Sequence, residues 1–418
     1  MAVLEPVSYR RLTQLDVDAI CARHDRLWQC KPGGARAVFS YCDLSGLSLR
    51  GRQLCDADFT GSSAAECDFS GARLDNASMF AADMQDAIFV DASLRRADLR
   101  GACLRGANLA GADLFEADLR EGAIAAADRK DGYRVLEHAV RSSQASGANL
   151  SGANLQRSKL SGVMAVRADF SGAIMKDCKL VRANLKQCKL EGADLAGADL
   201  SGADLAGADL RDCILVGAKT MAWNVSGADL RGALTDKTLG RDVTGLPYGD
   251  MLRDHALWCE TGGVEGAPST FNQADLRALK SIKGLNLTAL SAKDAVFYGL
   301  DMEGVQLQGA HLENADLRSC NLRGADLRGA RLVGAKLSGA DLREAQLGPL
   351  LIGPDRLLPV NMTGAVMRGC DLAGADLRRA VMTNCDLERA NFSGATTRQA
   401  ELSGARLFGV RGLVATTA

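Results

Sequence analysis

Histidine, proline and the aromatic residues are all scarce in this chain. Four His, seven Pro and 5% aromatics stand beside 45 Gly in 418 residues, a balance unlike an ordinary globular enzyme and suggestive of repeats. Charge of one sign is equally short. A formal net charge of -1 gives no basic or acidic surplus, so direct nucleic-acid binding is not expected. No apolar run approaches the roughly 18 residues of a membrane span. The opening stretch MAVLEPVSYRRLTQLD lacks a continuous apolar core, so no secretory signal is expected. Thirteen Cys without an export signal fit a reducing cytoplasm better than a disulfide framework. Phosphate-binding glycine loops, paired-thiol motifs and nucleophile elbows are missing. The expectation is a cytoplasmic protein with no enzymatic activity, no cofactor and no metal.

What is present is a period of five. Residues 191–210 read EGADLAGADLSGADLAGADL. With the Leu of each ADL as a centre, centres run Leu150, Leu155, Leu160, Ala165, Phe170, Met175, Leu180 and on to Leu215. A helix needs apolar residues at three and four, a strand at two. A strict five suits a coil of short, equal sides, with the centre and the residue two before it facing inward. Asp, Asn or Lys between them then faces solvent, and Gly152 or Gly172 supplies a permissive corner. Three runs follow this frame: Phe39 to Ile124, Leu150 to about Leu230, and Ile282 to Leu407. Cys42, Cys67, Cys178, Cys188, Cys213, Cys320, Cys370 and Cys385 all stand two before a centre and read as small buried hydrophobes. Phe39, Phe59, Phe69, Phe89, Phe170, Phe271, Phe297 and Phe392 occupy centres.

The breaks divide the chain. TQLDVDAICARHDRLWQC carries Val17, Ile20, Cys21, His24, Leu27 and Trp28 at helical spacing, with Thr13 and Asp16 as a helix start. YGDMLRDHALWCETGG offers Met251, Leu252, His255 and Trp258 on one face. GARAVFSYCDL at 34–44 aligns without gaps with GAPSTFNQADL at 266–276, so the chain reads as a duplicated module. His24, Trp28, His255 and Trp258 are therefore expected to pack a helical cap over an open coil end, rather than to ligate a metal. The expected domains are a cap over 1–38 and a solenoid over 39–235 interrupted at 125–149. A linker and second cap over 236–270 lead into a second solenoid over 271–418. Val135, Leu136, Ala139 and Val140 suggest one short helix within the interruption. GPLLIGPDRLLPV at 348–360 is expected to leave the frame as a loop, although its Pro349, Pro354 and Pro359 fall at corner positions. Trp223 stands where Ala belongs, and the second run is expected to loosen near residue 219.

The pattern A(D/N)LxG resembles the pentapeptide repeat family of bacterial type, over about three-quarters of the chain. The resemblance implies an all-β solenoid, a right-handed quadrilateral β-helix with about four pentapeptides per coil and about 4.8 Å rise. An extended regular surface with no catalytic cluster, broken only in defined places, points to a protein-interaction scaffold with an unidentified protein partner; the C-terminal solenoid end is a candidate homodimer contact. Some members resemble B-DNA and act on DNA gyrase, so a DNA-mimic modulator of a topoisomerase is the alternative. A mimic needs almost three negative charges per coil on its surface, given about one per 1.7 Å of duplex. Residues 39–124 hold 8 basic and 14 acidic residues, whereas 150–235 hold 11 and 9, so only the first run leans that way. With four pentapeptides per coil, centres Phe297, Leu317, Leu337, Leu357, Leu377 and Thr397 share one face. Arg318, Lys336, Arg356, Arg378, Arg379 and Arg398 would then form a basic stripe, opposed by Asp316 and Asp376.

Overall fold

The computed structural model describes residues 9–128, 132–237 and 247–413. The chain divides into two compact units, Met1–Lys237 and Thr238–Ala418.

In the first unit, the residue before each centre bridges in parallel to the residue 20 positions on: Val38 to Asp58, Asp58 to Ser78, Ser78 to Asp98. Twenty is four pentapeptides, so each coil has four short sides. Leu49 N donates to Asp68 O at 2.7 Å and Asp68 N returns to Leu47 O at 3.0 Å, tying each coil to the next. Each corner closes by a turn, as where Ala72 N donates to Phe69 O at 2.9 Å. The corner demands the left-handed region: Gly71 has φ +64°, and Asn76 at the next corner takes φ +57°. The five-residue period is the sum of two inward positions, the outward one between them, and a two-residue corner.

Burial follows the frame. Leu195, Leu200 and Leu205 are 0% exposed, as are Ala193, Ala198 and Ala203 two positions before them. Each buried Leu contributes roughly 1.5–3 kcal/mol, so the stacked centres dominate stability. Phe39 stacks on Phe59 at 4.9 Å and Phe69 on Phe89 at 4.7 Å, each pair 20 positions apart. Buried thiols at the small position donate to carbonyls of the neighbouring coil, Cys67 to Leu44 O and Cys188 to Ala165 O, both at 2.8 Å.

One of the expected breaks takes another form. The insertion in the first unit is a β-hairpin, not a helix: β3 (Gly122–Asp128) pairs antiparallel with β4 (Gly132–Arg141). Ile124 lies in β3 and is no centre; Cys103 bridges directly to Gln144, so Ala145 follows Leu119 as the next centre. Ser143 is buried at this splice; its hydroxyl accepts from Gly101 N at 2.9 Å and donates to Arg120 O at 2.8 Å. Near 219 the bridges continue, to Ile214 with Leu234, while the inward positions Ala218, Trp223, Val225, Ala228 and Leu230 are only partly buried against the core.

The second unit repeats the architecture from Phe271, with Thr270 bridged to Ser291. One extra residue is absorbed by a 3-10 turn at Arg277–Leu279, after which the spacing returns to 20, as from Ser281 to Asp301. At 348–360 the chain leaves the repeat frame. Strands β5 (Leu350–Gly353) and β6 (Arg356–Leu358) leave the coil as an antiparallel hairpin. Proline fixes φ near -65°, so Pro349 cannot take the positive φ that a corner requires, and the chain exits there. Bridges across the hairpin span 30 residues, Lys336 to Val366 and Gln346 to Asp376, so ten residues are extruded.

Among the described residues each unit carries one α-helix. Helix α1 (Gln14–Trp28) opens with a capping box in which Thr13 and Asp16 satisfy one another's backbone N–H. Its buried residues are Val17, Cys21 and His24, and the corresponding ones of α2 (Tyr248–Glu260) are Leu252, His255 and Ala256. The Gln14 amide donates to Ser48 O and accepts from Ser48 N, both at 2.9 Å, standing where a preceding coil would offer its peptide groups. Strand β1 (Arg10–Arg11) does the same on the next side, paired in parallel with β2 (Cys42–Asp43). Gly34 and Gly266 occupy the same place in the two modules, and a Cβ at either would fall within 2.5 Å of helix backbone.

Candidate interaction faces

The outward Asp of the repeat does more than face solvent. Asp199 Oδ1 accepts the Ser201 N–H at 3.1 Å, Asp209 that of Arg211 at 3.2 Å, and Asn149 that of Ser151 at 3.0 Å. The side chain bonds to the backbone two residues on, capping the corner. This is why the position favours Asp and Asn, and four of these carboxylates (Asp275, Asp316, Asp326, Asp386) are buried. The sequence signal was the Asp/Asn restriction itself, which mere exposure does not require.

Where the triplet is Asp-Leu-Arg, the arginine also turns back on its own aspartate. Arg211 places Nε 2.8 Å and Nη2 2.6 Å from the two oxygens of Asp209. Arg100 with Asp98, Arg343 with Asp341 and Arg378 with Asp376 repeat the fork. Hydrogen bonds from Arg231 and from the backbone hold the pKa of Asp229 down at about 2. A fork of this kind neutralises both charges within one pentapeptide.

The expected basic stripe does not form as one surface. The ten extruded residues turn everything after the hairpin by two sides of the coil. Lys336 lies in the ladder Asp316, Lys336, Val366, Asp386, Arg406. Asp376 continues from Asp326 and Gln346, so Arg378 and Arg398 lie on another side. Leu357 is no centre: it lies in β6, 42% exposed, and Met367 follows Leu337 inward. Arg318 is buried and forked onto Asp316. Arg356 leaves the coil altogether, in the hairpin strand opposite Gly353. Arg379 and Arg398 stay together on adjacent coils, where Arg379 N donates to Arg398 O at 3.0 Å and its side chain bonds a neutral partner, Gln399 Oε1, at 2.8 Å.

The two histidines of the modules do equivalent work. His24 Nδ1 accepts from Ala37 N at 3.0 Å, and His255 Nδ1 from Ser269 N at 3.0 Å. With Nδ1 accepting, Nε2 carries the proton of the neutral ring. In His255 it donates to Thr288 O at 3.2 Å; in His24 the corresponding carbonyl is that of Cys55. Trp28 is half exposed, its Nε1 lying 3.1 Å from His24 Nε2. Trp258 packs against His255 at 5.8 Å and over Gly263. Among the described residues no group of His, Cys, Asp and Glu has metal-binding geometry, and no helix is long and apolar enough to cross a membrane.

Comparison with known proteins gives one strong result. The pentapeptide repeat profile matches residues 53–91, 92–123, 142–177, 178–217, 310–347, 361–399 and 385–411, together more than half of the chain. No curated protein matches. Among solved structures, the pentapeptide repeat protein Rfr23 of Cyanothece 51142 is 27% identical over 32% of this chain and 91% of its own, with a TM-score of 0.28. HetL of Nostoc sp. PCC 7120, involved in heterocyst differentiation regulation, is 21% identical over 92% and 94%, with a TM-score of 0.19. QnrB1, a plasmid-mediated fluoroquinolone resistance protein, is 19% identical over 55% and 98%, with a TM-score of 0.24. Those scores carry no weight of their own. The repeat matches, with the four-sided ladder that the bridges describe, place this chain in the pentapeptide repeat family.

Proposed function

We propose that this protein is a non-enzymatic scaffold that holds a protein partner against its lateral faces and hairpins. The observation that carries this reading is the self-neutralisation of the ladder. Forks such as Arg211–Asp209 leave long, regular, electrically quiet sides, so a partner finds distinctive features only where the pattern breaks. Those breaks are the hairpins at Gly122–Arg141 and Leu350–Leu358. Helices α1 and α2 serve as caps in this reading, supported by the peptide-like bonds of Gln14 and by the two histidine bridges. Thirteen free cysteines favour a reducing compartment such as the cytoplasm.

Affinity capture with the tagged full chain tests the scaffold. One protein should be retained specifically, and deleting one of the two hairpins should abolish its retention. Retention of nothing, or undiminished retention by a chain lacking both hairpins, would remove the reading. The alternative, a DNA-mimic modulator of gyrase, is checked by a supercoiling assay. Inhibition at sub-micromolar protein would put that alternative first. The forks speak against it, because a carboxylate bound by its own arginine projects little negative field.

A further inference from the structure

The second hairpin rests on its coil through side chains. Leu350 and Leu358 lie over Gly329, where an added Cβ would fall 2.8 Å from Leu350 Cβ and 3.2 Å from Leu358 Cδ2. Among the described residues no backbone hydrogen bond joins Leu350–Leu358 to the coil. The sheet holds only β5 and β6, so each strand keeps one edge of N–H and C=O groups with no strand beside it. The two edges differ. Strand β6 opens on the charge of Arg356 and runs into Pro359, which has no N–H, and both features discourage pairing. Strand β5 carries neither charge nor proline, and its Leu351 and Ile352 are 64% and 44% exposed. An apolar, uncharged and exposed edge is a template for another strand.

We infer that the β5 edge pairs antiparallel with the β5 edge of a second copy of this chain, joining two ribbons into one four-stranded sheet about a two-fold axis. The strand is its own complement in that arrangement. With Leu350 of one copy opposite Gly353 of the other, each Leu351 faces an Ile352, so both exposed aliphatics gain a cross-strand neighbour. Charge selects no foreign strand. At the ribbon tip Arg356 follows an exposed Asp355, and in the depression between ribbon and coil Arg379 is matched by Glu401. Arg378 is forked on Asp376, which leaves Arg398 as a single surplus cation among these groups. The blocked β6 edges stop growth at two copies. So short a ribbon offers less than the roughly 800 Å² per partner of a standard interface, which suits a micromolar dimer. This inference goes beyond the scaffold reading, and it uses a surface other than the C-terminal solenoid end.

Sedimentation equilibrium of the full chain over about 1–200 μM should show a reversible monomer–dimer equilibrium. L351K/I352K, and separately L351E/I352E, set like charges against one another across the two-fold axis. Each should weaken the dimer at least about tenfold while the circular dichroism spectrum and melting temperature stay unchanged. Mixed one to one, the two variants should form a heterodimer, because each lysine then faces a glutamate, and a tag on one should retrieve the other. A chain that stays monomeric at about 200 μM overturns the inference. So does a dimer that both variants form as well as the unaltered chain, which would place the contact elsewhere, and so does failure of the mixed variants to associate. A monomeric chain whose captured partner is lost with L351K/I352K would assign the edge to a foreign strand and likewise overturn the inference. Capture of a partner by a chain that fails these tests would leave the scaffold standing and remove only the dimer.

Discussion

His24 Nδ1 takes the backbone N–H of Ala37 at 3.0 Å, so the imidazole must be neutral for helix and first coil to stay joined. Burial lowers the pKa of His24 from its ordinary value of 6.5, against the opposing pull of the Cys55 carbonyl and then of Asp25 and Asp56. In the unfolded chain the ring protonates near 6.5, so below that pH the unfolded state binds a proton that the folded state refuses. Stability contributed by His24 is therefore complete above about pH 6.5 and lost as pH falls toward the depressed folded value. Urea unfolding at pH 7.5 and 5.5 should show a drop that His24→Gln reduces, because glutamine can accept the same N–H without titrating. An unchanged drop in that variant would place the sensitivity elsewhere.

Leu200 and Asp199 are neighbours with opposite fates. Leu200 is 0% exposed between stacked centres, and Leu200→Asp should cost more than about 4 kcal/mol, enough to prevent folding of the unit. Asp199 caps its corner through Ser201 N, so Asp199→Ala should cost about 0.5–1.5 kcal/mol. Thermal melts that rank the two equally would mean the inward and outward assignment is wrong.

Removing the second hairpin should leave the fold intact when the frame is kept. Deleting residues 350–359 together with Pro349→Gly brings Leu347 and Met362 to five positions apart and gives the corner a residue that accepts positive φ. The melting temperature should stay within a few degrees. Deleting only 350–357 slips the frame and should collapse the second unit, since a slip carries centres outward. Equal stability of the two deletions would contradict the extrusion of ten residues.

The thiols offer a direct probe of burial. Desolvation pushes the pKa values of Cys67, Cys178, Cys188, Cys320 and Cys370 up to about 12, and those of Cys21 and Cys385 to about 11. Thiolate is the reactive form, so these should resist alkylation at pH 8. Cys30, which is exposed, should react first with iodoacetamide, and all thirteen should label in guanidinium. Early labelling of Cys178 in native protein would refute its place in the core.

The five-residue period, the inward Leu and Phe, the buried small Cys and the two helices were legible from local pattern. Each depends on contacts within a pentapeptide or with one coil above and below. Thr13 and Asp16 announce their helix by themselves, as Leu200 announces its burial. The corner-capping Asp was visible but misread, because exposure and backbone capping favour the same residue type. The hairpin at Gly122–Arg141 was misread as a helix, since its apolar spacing satisfies both periods.

Which faces align was decided only by the tertiary structure. The period is set locally, but the angular phase of each repeat depends on how many residues have left the coil before it. Pro349 forbids a corner, ten residues exit, and every later side chain turns through half a coil. That rotation separates Arg318 and Lys336 from Arg378 and Arg398, and it brings Arg379 to the edge of the hairpin groove. No window of sequence contains that sum, because it accumulates over a segment outside the repeat.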